Sequence, residues 1–148
     1  VQAEDSTDGS KVSYNDTYIL NGLRLVVVDD DQDTRELFTF VLESNGAEVI
    51  PVASAQQALE AIAQFQPDIL ISDIQMSGTD GYNLIRQVRN LGADQGGQIP
   101  AIAVTGYPKN VNDIDELLVG FQGHLCKPID LDELIAVVAS LAKRVVSS

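Results

Sequence analysis

Apolar residues recur along this chain in two alternating rhythms. Short unbroken runs stand at Arg24–Val28, Ala47–Val52, Ile69–Ser72, Ala101–Val104 and Gly123–Cys126. Runs of this length, rich in Val, Ile and Leu and bounded by turn residues, predict strands, the central ones covered on both faces. Between the runs the apolar positions spread to a spacing of three and four. One such set is Leu37, Phe38, Val41 and Leu42, and a second is Ala55, Ala58, Leu59 and Ile62. A third is Tyr82, Leu84, Ile85, Val88 and Leu91, and a short fourth is Val111, Ile114, Leu117 and Leu118. Leu131, Leu134, Ile135, Val138 and Leu141 complete the series. Each set predicts an amphipathic helix. The pairs Asn45-Gly46, Gln66-Pro67, Gly96-Gly97, Ile99-Pro100 and Lys127-Pro128 interrupt the pattern where elements should end.

Strand and helix therefore alternate as (βα)5, an α/β pattern. Parallel strands need crossover connections, and helical crossovers cover both faces of the sheet. The doubly wound domain is expected over residues 21–145, behind a polar linker or tail at 1–20, with Tyr18 to Leu20 lying on the domain. The stretch GADQGG, residues 92–97, reads as a flexible loop without chemistry. In sheets of this kind ligands bind beyond the carboxyl ends of the strands. Function is to be sought there.

Composition narrows the classes. The 148 residues suffice for one domain with a real core, and 45% are hydrophobic. A formal net charge of -13, with few and scattered basic residues, argues against nucleic acid and against contact with an anionic membrane. No apolar run approaches the ~20 residues that cross a bilayer, and the N-terminal stretch lacks the basic-then-apolar pattern of a signal peptide. Cys126 is the single cysteine, so no intrachain disulfide forms, and it reads as a small core residue. A cytoplasmic location is the default expectation. Val1 in place of Met points to a piece of a longer or processed chain.

The strand ends carry the chemistry. In order they present Asp29-Asp30-Asp31, then Asp73, then Thr105-Gly106, then Lys127-Pro128. Two carboxylates ~5 Å apart repel by roughly 3 kcal/mol at an effective dielectric near 20. A divalent cation reverses that local field, and hard oxygen ligands without His or Cys favour Mg²⁺, with Mn²⁺ as the alternative, over zinc. Lys127 adds a point charge and Thr105 a hydroxyl donor. With a metal they form a clamp suited to the oxygens of a phosphoryl group in transfer. Asp73 is the natural nucleophile, because carboxylates form aspartyl phosphates.

Simpler readings compete at several positions. Asp31 and Asp33 fit a helix start rather than a ligand set. The Asp29, Asp31, Asp33 spacing mimics the opening of an EF-hand, but Thr34 stands where that loop needs Gly and Phe40 where it needs Glu. A haloacid-dehalogenase-type phosphatase would also use an Asp pair after the first strand. It wants Thr or Val where this chain has Asp33, and it leaves Asp73 and the Lys-Pro element unused.

Four motifs at successive strand ends, LVVVDDDQDTRELF, DILISDIQMSGTDGYNLI, IAVTGY and GFQGHLCKPID, resemble the receiver domain of two-component response regulators and hybrid histidine kinases. The likeness runs from about Leu23 to Lys143. It implies a flavodoxin-like sheet in the order 2-1-3-4-5 and a phosphoryl group taken from a phosphohistidine onto Asp73. It further implies metal ligation by Asp29, Asp30, Asp73 and the backbone carbonyl of Gln75. Thr105 and Lys127 would bind phosphoryl oxygens beside Gly106, while Gly81 and Pro128, often cis in the family, would be structural. The implied partners are a histidine kinase or a histidine-phosphotransfer domain, and a homodimer through the fourth helix, fifth strand and fifth helix.

Two departures stand out. The family usually has proline four residues after the phosphoacceptor, where this chain has Ser77, which frees a backbone N–H. The position three before the lysine is usually an aromatic switch and here is His124, whose imidazole can stack or swing similarly. With only RVVSS after Lys143, the wording of the last motif suggests the C-terminal receiver of a hybrid kinase. A stand-alone regulator is the alternative, and an Mg²⁺-dependent aspartyl-phosphate phosphatase a remote one.

Overall fold

The computed structural model describes residues 19–75, 81–106 and 120–147, with side chains up to 142. Five parallel strands form one sheet in the order β2-β1-β3-β4-β5. These are β1 (Arg24–Val28), β2 (Glu48–Val52), β3 (Ile69–Asp73), β4 (Ala101–Thr105) and β5 (Gly123–Cys126). Helix α1 (Gln32–Ser44) follows β1, α2 (Ala55–Phe65) follows β2, and α3 (Gly81–Arg89) follows β3. The last helix, α4 (Leu131–Ser147), follows β5. The short helix expected around Val111 to Leu118 and the Ser77 position lie outside the described residues.

Two apolar cores sandwich the sheet. On one face Leu25, Val27, Ile69 and Ile71 meet Phe38 and Leu42 of α1 and Leu134 and Val138 of α4. On the other, Val26, Val28 and Leu70 meet Ala58 and Ile62 of α2 and Leu84, Ile85 and Val88 of α3. Alternate residues of one strand thus feed opposite cores, which is why the strands read as unbroken apolar runs. Pro51 is tolerated in β2 because that strand is an edge of the sheet.

The element ends have local causes. The Asp31 carboxylate caps α1, accepting from the Thr34 amide at 3.0 Å and its hydroxyl at 2.5 Å. Ser54 caps α2 through the Gln57 amide at 3.2 Å. Gln66 leaves α2 in the left-handed region, φ 50°, just before Pro67.

Three expectations need correction. β3 and β4 run one residue further than predicted, because the backbones of Asp73 and Thr105 stay in register with Val104 and Cys126. Leu37 is 47% exposed, since the buried stripe of α1 runs through Phe38 and Leu42 and Leu37 falls off it. Cys126 is only half-buried, as befits an edge strand.

Residues 92–97 close into a tight turn rather than an open loop. The Gln95 and Gly97 amides donate to the Gly92 carbonyl at 2.8 and 3.1 Å. A Cβ at Gly97 would meet the Leu91 carbonyl at 2.0 Å, so only glycine fits. Arg89, at the end of α3, then ties this turn to the entry of β5. Its guanidinium donates to the Gly97 carbonyl at 2.9 Å, twice to the Gly120 carbonyl at 2.6 and 3.1 Å, and to Gln122 Oε1 at 3.1 Å.

Candidate functional site

β1 and β3 are neighbours with Val28 opposite Ser72, so the next residues, Asp29 and Asp73, emerge side by side at the carboxyl edge. Both are buried, Asp29 at 2% exposure and Asp73 at 3%, while Asp30 is exposed. One carboxylate oxygen from each of the three lies within 4.8 Å of the others. Residues far apart in sequence thus share one acidic hollow.

Burial has a visible electrostatic effect. It pushes the Asp29 carboxyl up to about 6, against the hydrogen bond from the Asp31 amide and the Lys127 charge, which lower it. The nearby charges of Asp73 and Asp30 raise it further. The Asp31 carboxyl instead titrates below its usual range, chiefly because the Thr34 side chain and amide donate to it. The run of three acids therefore divides by environment: Asp29 faces the hollow and Asp31 serves the helix.

β4 and β5 supply the opposite wall. Thr105 is fully buried at the end of β4, and its carbonyl accepts from the Lys127 amide at 2.8 Å. That bond carries the ladder past Cys126 and turns the lysine toward the hollow. Lys127 Nζ stands 3.4 Å from Asp73 Oδ2, with the lysine side chain 39% exposed. Asp73 Oδ1 accepts from the Gln75 amide at 3.2 Å. Among the described residues each Asp73 oxygen thus has one donor, and both bonds are longer than charge-assisted ones usually are.

Two glycines and one proline shape the rim. Gly81 opens α3 directly against the acidic strand end, where a Cβ would lie 2.6 Å from the Asp73 carbonyl and 2.8 Å from Ile74 Cα. Gly106 is exposed, and a Cβ there would lie 3.0 Å from Gln75 Oε1. The Lys127–Pro128 peptide is cis. His124 lies on β5 opposite Ala103, further from the carboxyl edge than Lys127, and its buried Nε2 has no hydrogen-bond partner among the described residues.

Sequence reasoning missed Arg35. Its Nη1 donates to the Asp29 carbonyl at 2.7 Å. The available signal was its place early in α1, because helical side chains lean toward the N-terminus of their helix and a long one there reaches back to the preceding strand end.

Chemically, the donor set suits a hard cation. It is all oxygen, and three carboxylates around one ammonium leave a negatively charged hollow.

Comparison with known proteins agrees in sequence and in fold. The response regulator receiver domain family matches residues 25–139. An uncharacterised 14.6 kDa protein from the sodA1 3′ region of Leptolyngbya boryana is 42% identical over 114 residues, 77% of this chain and 86% of that one. The response regulator MprA of Mycobacterium leprae is 33% identical over 122 residues, 82% of this chain and 52% of its own, so the chain spans about half of that relative. The receiver domain of Francisella response regulator 1452 aligns with a TM-score of 0.74 at 28% identity, covering 84% of this chain and 99% of that one. A family match over most of the domain, on a sheet wound in the order 2-1-3-4-5, makes the protein a member of the response regulator receiver domains of two-component signalling.

Proposed function

We propose that the domain, taken as residues 21–145, accepts a phosphoryl group from a phosphohistidine onto Asp73. The observation that carries this is the Asp73 carboxylate itself, buried and held between the Lys127 ammonium and the Asp29 and Asp30 carboxylates. Mg²⁺ or Mn²⁺, held by Asp29, Asp30, Asp73 and the Gln75 carbonyl, supplies charge neutralisation for the phosphoryl oxygens. An Asp73 oxygen attacks phosphorus in line with the P–N bond, which breaks with its electron pair staying on the imidazole. Lys127 pairs with one phosphoryl oxygen and Thr105 donates to another, where negative charge gathers in transfer. Attack of water on the phosphorus later returns Asp73 to a carboxylate and releases phosphate. Positioning and neutralisation do the chemistry, so no separate general base is required.

Phosphate draws Thr105 inward and His124 turns into the space it leaves. The buried Nε2, with no hydrogen-bond partner among the described residues, supports a ring whose present orientation leaves that nitrogen unsatisfied. The partners are a histidine kinase or a histidine-phosphotransfer domain. The hybrid-kinase arrangement is one reading of the full protein; the short Leptolyngbya relative, mostly spanned by this domain, favours a free-standing regulator as the second.

The test is direct. Incubation with a small phosphodonor and Mg²⁺ gives an acid-stable, base-labile adduct by intact mass, absent from Asp73→Asn. Steady turnover of a phosphomonoester that survives Asp73→Asn would instead support the phosphatase reading.

A further inference from the structure

The Asp29 backbone is anchored from two sides. Its amide donates to the Val52 carbonyl at 3.2 Å, crossing from β1 to β2. Its carbonyl accepts from Arg35 Nη1 at 2.7 Å, crossing from the strand end to α1. The residue lies past the last β1–β3 register pair, Val28 with Ser72. On the β3 side the paired register therefore ends where the acidic side chains begin, and only the bond to β2 carries the sheet on to Asp29. The same peptide leads directly into Asp30, so its orientation sets the direction of both carboxylates, while the Asp31 amide fixes Asp29 Oδ1 at 2.8 Å.

From this geometry we infer that Arg35 is a positioning residue for the metal seat, holding the Asp29–Asp30 peptide at the angle at which both carboxylates face Asp73. The inference rests on the metal-binding reading above and adds to it a cation that works through a carbonyl rather than through its charge. Coulomb's law alone gives Arg35 the opposite role, because a positive guanidinium beside the hollow repels a divalent cation. Removing it should then tighten binding. Positioning predicts weaker binding, and the sign of the change separates the two.

The experiment is a Mg²⁺ titration of the whole chain, followed by the amide NMR shifts of Asp31 and Gln75, so it needs no phosphotransfer. Arg35→Ala weakens Mg²⁺ binding about tenfold, the lower end of what loss of an outer-shell partner does. Arg35→Lys, which keeps a donor, recovers most of the affinity. Arg35→Gln, neutral and too short to reach the carbonyl, weakens binding as Ala does and serves where Arg35→Ala does not fold. Unchanged or tighter binding in the folded neutral variants overturns the inference. Absence of Mg²⁺ binding in the unaltered protein overturns the metal-binding reading beneath it.

Discussion

Lys127 Nζ stands 3.4 Å from Asp73 Oδ2, joining the end of β5 to the end of β3 across the strand between them. One ammonium faces three carboxylates, so in the proposed reaction it would steer one oxygen of the incoming phosphoryl group without neutralising the acids. Lys127→Met should slow phosphorylation by a small donor about a hundredfold, as removal of a transition-state donor does. Mg²⁺ affinity should hold or rise, since a competing cation is gone. Loss of metal binding in that variant would show that the lysine organises the site instead.

Asp29 sets a pH dependence. Its folded-state carboxyl titrates near about 6, above the 3.8 of an unperturbed carboxyl, so the metal-free folded protein binds this proton more tightly than the unfolded chain. The associated stability is present below the unfolded value and is lost as pH rises through the folded one. Urea unfolding with chelator should therefore show Asp29 contributing a fall in stability between pH 4 and about 6. Asp29→Asn should remove that fall. Mg²⁺ competes with the same proton, and its affinity should drop as pH falls below about 6.

Asp31 tests the division within the acidic run. Asp31→Ala removes the α1 cap, and thermal unfolding should move to lower temperature with Mg²⁺ affinity unchanged. Asp30→Ala should do the reverse, abolishing metal binding without loss of stability. Equal effects of the two variants on metal binding would contradict the division.

Gly81 is required by contact rather than by backbone angle. Gly81→Ala sets a methyl 2.6 Å from the Asp73 carbonyl and 2.8 Å from Ile74 Cα, both backbone atoms. Such overpacking costs typically 1–3 kcal/mol, so about 2 kcal/mol by urea unfolding is expected. Because the clash falls on the residue bearing the proposed nucleophile, phosphorylation should slow as well.

Much of this was legible in the sequence because parallel strands put their carboxyl ends on one edge. Once Asp29, Asp73, Thr105 and Lys127 were each assigned to a strand end, their convergence followed from topology. Asp31 could be separated from Asp29 because helix starts favour Asp and the other strand ends asked for only two acids. What depended on closure was hidden. Leu37 and Phe38 are equally apolar neighbours, and only packing decides that Phe38 turns inward. The Arg89 clamp on Gly97, Gly120 and Gln122 joins segments that no local pattern connects. Arg35 stands among other charged residues of α1, and only its bond to the Asp29 carbonyl sets it apart.

The proposed response runs through His124. A phosphate mimic bound with Mg²⁺ should shift its ring resonances and those of β5, with no such shift in Thr105→Ala. A ring and strand that stay put in the mimic-bound protein would rule out the switch.

The most direct measurement of the central claim locates the adduct. After treatment with a small phosphodonor and Mg²⁺, borohydride reduces an aspartyl phosphate to homoserine, which peptide mass spectrometry places in the chain. Homoserine at position 73, lost with chelator and in Asp73→Asn, is the result expected. Homoserine at Asp29 or Asp30, or none in a protein that binds Mg²⁺, would contradict the account.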